Sequence, residues 1–111
     1  MDVSIKHFKR CSLIQPEGRI DSQTSPELAE AFEEVNEDGQ FKIVLDMSDV
    51  DFISSAGLRV LINAQKTCKR WNRGEVVLAA VPSMIQEALE LAGFDPLFRM
   101  YGDVTEAVGG F

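Results

Sequence analysis

Apolar positions along the chain fall into two rhythms that alternate. Val3-Ser4-Ile5-Lys6-His7-Phe8 and Cys11-Ser12-Leu13-Ile14 carry short alternating patterns on either side of Lys9-Arg10 and predict an antiparallel hairpin. Thr24-Ser25-Pro26-Glu27 then combines a hydroxyl, a proline suited to a first helical turn and an acid, which is a helix start signal. Leu28, Ala31, Phe32 and Val35 follow at helical spacing and form one apolar stripe, with Glu27, Glu30, Glu33 and Glu34 off it as a solvated face. A first helix is expected to run to about Val35.

Phe41 to Met47 is almost wholly apolar and β-rich, the pattern of a strand covered on both faces in a parallel sheet. Ser48 to Ile53 reads as a loop. A second helix is expected from Ser54-Ser55-Ala56-Gly57 to about Trp71, with Gly74 beyond its end and Leu58, Leu61, Ile62 and Cys68 among its apolar positions. Lys66, Lys69, Arg70 and Arg73 crowd its last turn, where cations meet the negative end of the helix dipole. Glu75 to Ala80 predicts a further strand. Pro82-Ser83-Met84-Ile85-Gln86 opens a third helix with a Ser-x-x-Gln capping pattern, and Gly93 closes it. Leu97 to Tyr101 reads as an edge strand and Asp103 to Val108 as a last short helix. The expected fold is α/β, with the order ββαβαβαβα and helices packed on a mixed, mostly parallel sheet.

With 111 residues and 45% apolar content, residues 1–111 are expected to form one domain around one core. Eighteen acids against 11 bases, a net charge of −7, give no reason to approach nucleic acid or anionic lipid, so neither nucleic-acid binding nor direct membrane insertion is expected. No apolar run reaches the roughly 20 residues of a spanning helix, and Met1 to Arg10 lacks a signal-peptide core. Cys11 and Cys68 match no paired motif and read as reduced core thiols. A cytoplasmic protein is the expectation.

Candidate chemistry is sparse. The single histidine, His7, lies inside the first strand, with no nucleophile pattern around it. Asp46, Asp49 and Asp51 lack a fourth ligand for a hard cation, and no glycine-rich run offers a phosphate cradle. Asp46 ends a strand as the phosphorylated Asp of a receiver domain would, but the early acidic pair and late Lys of a receiver are missing. No enzymatic activity, metal or cofactor is expected.

One junction stands out. Asp51-Phe52-Ile53-Ser54-Ser55-Ala56-Gly57-Leu58 puts small residues at the mouth of a helix directly after the most apolar strand. Either serine serves there as an N-cap, worth about 1 kcal/mol. A phosphate on either would sit beside the positive end of the dipole, so the fold would survive while the surface seen by a partner changed.

From Ile43 to Leu58 the chain resembles the signature of STAS domains, shared by anti-sigma factor antagonists and the cytosolic domains of sulphate transporters. Gly18-Arg19-Ile20-Asp21 is similar to the family's turn before the first helix, and Leu91-Ala92-Gly93-Phe94 through Leu97-Phe98 to its C-terminal portion. In such antagonists the unphosphorylated domain binds a switch-type anti-sigma factor serine kinase that otherwise holds a sigma factor. The kinase phosphorylates a serine at this helix mouth and a serine phosphatase reverses it. The resemblance makes Ser55 the acceptor, with Gly57 the glycine that follows it and Asp21 an acidic turn residue near the partner surface. Asp21 also reads as a plain turn or cap residue with Ser22. Many members have Asp before the acceptor where this chain has Ser54, so Ser54 stays an alternative acceptor and part of the partner-binding set. A second reading is a STAS accessory subunit that assembles or regulates a membrane transporter.

Overall fold

The computed structural model describes residues 1–111. The hairpin forms from β1 (Asp2–His7) and β2 (Ser12–Ile20), paired antiparallel with Ile5 opposite Ile14. The chain continues through α1 (Ser25–Glu37), β3 (Lys42–Asp46), β4 (Val50–Ile53), α2 (Ser55–Lys69), β5 (Glu75–Ala79), α3 (Ser83–Leu91), β6 (Met100–Tyr101) and α4 (Val104–Gly109). Six strands form the sheet in the order β1-β2-β3-β5-β6, parallel from β2 onward, with β4 paired to β2 off this path.

Both faces of the central strands are covered, which is why β3 is apolar from Ile43 to Leu45. Ile43 and Leu45 of β3, with Val76 and Leu78 of β5, join the large core that Leu28, Phe32, Val35, Leu58, Leu61 and Cys68 complete from α1 and α2, and Ile85 and Leu89 from α3. Val44, Val77 and Ala79 point the other way, into a smaller cluster closed by Cys11 and by Ala107 of α4. Burial pushes both the Cys11 and the Cys68 thiol up from the usual range. His7 ends β1 with its Nδ1 2.7 Å from the Ser12 hydroxyl.

The expected loop at 48–53 is a correction: its second part is β4, which lies parallel to the far half of β2. Gly18 pairs with Val50 but Arg19 with Phe52, so Asp51 is an extra residue in the ladder. This bulge turns both Val50 and Ile53 inward, three positions apart, and erases the period-two pattern that would have marked a strand. Gly18 supplies the bend on the β2 side with φ of +88°. The element order therefore becomes ββαββαβαβα.

Other boundaries shift for local reasons. Helix α2 stops at Lys69, and a short 3-10 turn carries Arg70–Asn72, with Trp71 and Asn72 in the left-handed region at φ of 61° and 58°. Gly74 does not cap the helix. A Cβ there would stand 2.3 Å from the Phe41 carbonyl oxygen, so Gly74 is required for close passage of two backbones. Helix α3 is entered through Pro82, with no side-chain cap from Ser83. It closes at Gly93 as expected: the Phe94 N–H reaches the Leu89 carbonyl at 2.9 Å and the Gly93 N–H the Glu90 carbonyl at 3.0 Å. Of the expected 97–101 strand only Met100 and Tyr101 pair, because Asp95-Pro96-Leu97 folds into a 3-10 turn. The buried Gln65 holds this region to the sheet, taking the Val76 N–H at 2.6 Å and donating to the Val76 and Leu97 carbonyls at 3.0 and 2.7 Å.

Candidate functional site

The mouth of α2 is built by the ends of β2 and β4. The Ser54 N–H donates to the Ile20 carbonyl at 2.8 Å, which ties the helix start to the residue just before Asp21. Ser54 is extended (φ −92°, ψ 175°), and its hydroxyl oxygen accepts from the Gly57 N–H at 3.3 Å. Ser54 is thus the N-cap, and its side chain is committed to the helix. Ser55 is the first helical residue and is exposed, and its hydroxyl is free of any partner within the chain. The sequence left the two serines equivalent as caps; the structure separates them.

Gly57 is buried under this turn. A Cβ at this position would lie 2.7 Å from both Ile20 Cγ2 and Ile53 Cγ1 and 3.1 Å from the Ile20 carbonyl oxygen. The glycine lets the first turn of α2 sit directly on β2 and β4. It shapes the site from below, and of the two residues Ser55 is the exposed one.

Asp21 caps its own turn. Its Oδ1 accepts from the Gln23 and Thr24 N–H groups at 3.0 and 3.1 Å, and the Thr24 hydroxyl donates to the Arg19 carbonyl at 2.7 Å while accepting from the Asp21 N–H at 2.9 Å. The Thr24 hydroxyl does not cap α1; it stitches this turn instead. The Thr24 and then the Gln23 backbone N–H hold the Asp21 carboxyl below the usual carboxylate range, helped by Arg19 at 3.8 Å. The turn reading and the surface reading of Asp21 are compatible, because Oδ1 serves the turn while Oδ2 faces Arg19.

Arg19 itself was not legible as a site residue. Its guanidinium lies over the Phe52 ring, 4.1 Å from the centroid, a cross-strand contact created by the Arg19–Phe52 register of β2 and β4. Only recognition of β4 as a strand would have brought the pair together. Arg19, Asp21 and Thr24 rim a shallow open depression with Glu17, Asp49 and Asp51. Asp46 stays apart from these acids: it is buried, accepting from the Gln15 amide at 2.7 Å and the Ser48 N–H at 3.0 Å, and so shapes the β3–β4 jog. No three His, Cys, Asp or Glu side chains gather as metal ligands, and no helix is long and apolar enough to cross a membrane.

A sequence model of the STAS domain matches residues 2–107. The anti-sigma-F factor antagonist RsfB of Mycobacterium tuberculosis is 29% identical over 108 residues, which cover 97% of this chain and 87% of RsfB. The crystal structure of an anti-sigma factor antagonist from Mycobacterium paratuberculosis superposes with a TM-score of 0.84 at 25% identity, covering 98% of this chain and 92% of that one. The anti-sigma factor antagonist SpoIIAA in its unphosphorylated form shares the fold at a TM-score of 0.83 and 13% identity, covering 98% and 95% of the two chains.

Proposed function

The chain belongs to the STAS domain family, and from that premise we propose that it is an anti-sigma factor antagonist switched by phosphorylation at Ser55. Unphosphorylated, it binds an anti-sigma factor serine kinase and so frees a sigma factor. Phosphorylated, it is released until a serine phosphatase removes the group. The observation that carries this reading is the division of labour between the serines: Ser54 caps α2, while Ser55 presents an uncommitted, exposed hydroxyl on a rigid helix start.

The physical consequences of a phosphate differ sharply between the two positions. On Ser54 it would disturb the oxygen that takes the Gly57 N–H, a cap worth about 1 kcal/mol. On Ser55 it leaves that cap intact and adds about −1.5 to −2 charges at the positive end of the α2 dipole, where anions are stabilised. The fold therefore tolerates the modification. The partner does not, because a docked kinase surface would have to strip water from a new dianion without a matching cation. Transfer takes the γ-phosphoryl group of ATP onto Ser55 Oγ, with ADP leaving and the hydroxyl proton passing to a base of the kinase; hydrolysis by the phosphatase returns the hydroxyl and free phosphate. This chain need only present the serine.

Asp21 and Arg19 flank this surface, their turn joined to Ser54 through the Ile20 carbonyl. A kinase that grips the domain there reads both the helix mouth and the β2–α1 turn. The test is to mix each purified anti-sigma kinase of the source organism with the wild-type, Ser54→Ala and Ser55→Ala proteins and ATP, and to map the modified residue by mass spectrometry. Phosphate on Ser55 in wild type and Ser54→Ala, none in Ser55→Ala, and loss of kinase binding in Ser55→Asp support the switch. Unaltered kinase binding by Ser55→Asp, or modification confined to Ser54, overturns it.

A further inference from the structure

At the far end of α2, about 21 Å from Ser55 along the helix axis, lies a second surface that the antagonist reading does not use. No acid occurs between Phe52 and Gly74, whereas Arg59, Lys66, Lys69, Arg70 and Arg73 all do. Lys66, Lys69 and Arg70 are exposed, and the four ion pairs of the chain involve none of them. Beside them Trp71, the only tryptophan, is 83% exposed and held in the left-handed region.

The neighbouring helix carries the opposite charge. Glu30, Glu33, Glu34 and Glu37 of α1 are exposed and likewise enter none of these pairs. Glu34 and Glu37 sit near the C-terminus of α1, the end whose dipole repels them, with no base in that turn to compensate. The two helices run side by side, joined near their C-terminal ends where the Asn36 amide meets Cys68 Sγ at 3.7 Å. Between them is a groove lined by Phe32, Glu33 and Asn36 on one wall and Val60, Asn63 and Thr67 on the other.

We propose that the α1–α2 face is a self-association surface whose occupant is a second copy of this chain. A two-fold axis running along the groove sets α1 of each copy against α2 of the other with the helices pointing the same way. Glu33 and Glu37 of one copy then face Lys66 and Arg70 of its partner, and symmetry repeats the match. Trp71 of each copy comes to the same end of the interface, where a large aromatic serves as the buried anchor that rim charges alone cannot supply. A flat anionic surface, lipid or nucleic acid, would meet the acids of α1 together with the bases of α2. Only a surface with both signs in the inverse order satisfies both, and a second copy has it.

Sedimentation velocity over a concentration series, at low salt and at about 0.5 M salt, tests this on the full chain. Wild type is expected to dimerise at low salt, with a blue shift of Trp71 emission on association and a loss of dimer at high salt. Lys66→Glu/Arg70→Glu and Glu33→Lys/Glu37→Lys should each weaken association by at least about tenfold, and an equimolar mixture of the two should restore it as a heterodimer. Thermal melts confirm that the variants stay folded. A wild type that is monomeric throughout, variants that associate as wild type does, or a mixture of folded variants that stays monomeric overturns the proposal. So does binding of wild type to anionic vesicles or single-stranded oligonucleotide without self-association, which would assign the patch to those partners. None of these readouts depends on phosphorylation at Ser55.

Discussion

At its first residue α2 is finished by main-chain groups and small side chains, whereas at its last turn it is finished by long cationic ones. Ser54 and Gly57 fix the N-terminal end within contact distance of Ile20 and Ile53. At the C-terminal end the Arg73 guanidinium reaches back, donating to the Thr67 and Arg70 carbonyls at 2.9 and 3.0 Å while its face lies 3.7 Å from the Phe41 ring centroid. Both ends satisfy the helix electrostatically. They differ in what is left over: the first leaves one hydroxyl exposed on a rigid frame, and the second leaves several unpaired charges and an indole. A short group on a fixed helix start suits covalent modification, and a broad charged patch suits weak, reversible contact.

Each end depends on a glycine, and replacing them breaks the comparison most severely. Gly74→Ala drives a Cβ to 2.3 Å from the Phe41 carbonyl oxygen and 2.9 Å from the Lys42 nitrogen, both backbone atoms that cannot rotate away. A loss of more than about 3 kcal/mol is expected from denaturant melts, with β3 and β5 forced apart. Gly57→Ala presses on branched side-chain carbons of Ile20 and Ile53, which yield more easily. It should cost about 1–3 kcal/mol and, because it lifts the mouth of α2, should also lower the rate of Ser55 phosphorylation. Gly74→Ala should leave that rate in the folded fraction unchanged. Equal stability losses would show that the tightness assigned to the two ends is wrong.

The serines sharpen the same contrast at smaller energy. Ser54→Ala removes the oxygen that accepts the Gly57 N–H and is expected to lose about 1 kcal/mol, read as a lower midpoint in urea. Ser55→Ala removes an exposed hydroxyl and should stay within about 0.5 kcal/mol of wild type. A Ser55→Ala loss as large as that of Ser54→Ala would mean that Ser55 shares in the capping.

How much of this was readable in advance follows from where the period of the pattern survives. The stripe Leu28-Ala31-Phe32-Val35 and the two-sided burial of Ile43 to Leu45 came through directly, because helix and parallel strand each leave a regular apolar trace. Strand β4 did not, since the bulge at Asp51 puts Val50 and Ile53 on one side. The serine pair was visible as a helix start, but which oxygen caps depends on one backbone angle at Ser54, and no side-chain pattern encodes that. Gly74 looked like a helix terminator for its position alone. Its contact with Phe41 joins residues more than thirty positions apart in sequence, beyond the reach of any local signal.

The pH dependence of stability separates the β2–α1 turn from the helix mouth it supports. The folded pKa of Asp21 lies below its unfolded value, held there by the Thr24 and Gln23 N–H groups. Its contribution is therefore present above the unfolded carboxylate pKa of about 3.9 and is lost as pH falls through the folded one. Asp21→Asn should flatten that part of the acid limb in melts between about pH 5 and 2, while Ser54→Ala should shift the whole curve down without changing its shape. An acid limb unaltered by Asp21→Asn would mean that the turn does not hold the carboxylate in its charged form.

The smallest expected effect on the fold comes from the most conspicuous side chain. Trp71 is largely exposed, so its removal forfeits little buried area, and its φ of 61° carries a left-handed penalty of about 1–2 kcal/mol for a residue with a Cβ. Glycine escapes that penalty but adds about 0.5–1 kcal/mol of unfolded-chain entropy. Trp71→Gly should therefore be neutral or slightly stabilising, within about 1 kcal/mol, in urea melts at low protein concentration. The same substitution should abolish dimer formation in sedimentation. A fold that gains or keeps stability when its exposed indole is deleted holds that indole out for a purpose other than folding. A clear loss of monomer stability would instead make Trp71 part of the end of α2, and the two ends of the helix would then be alike.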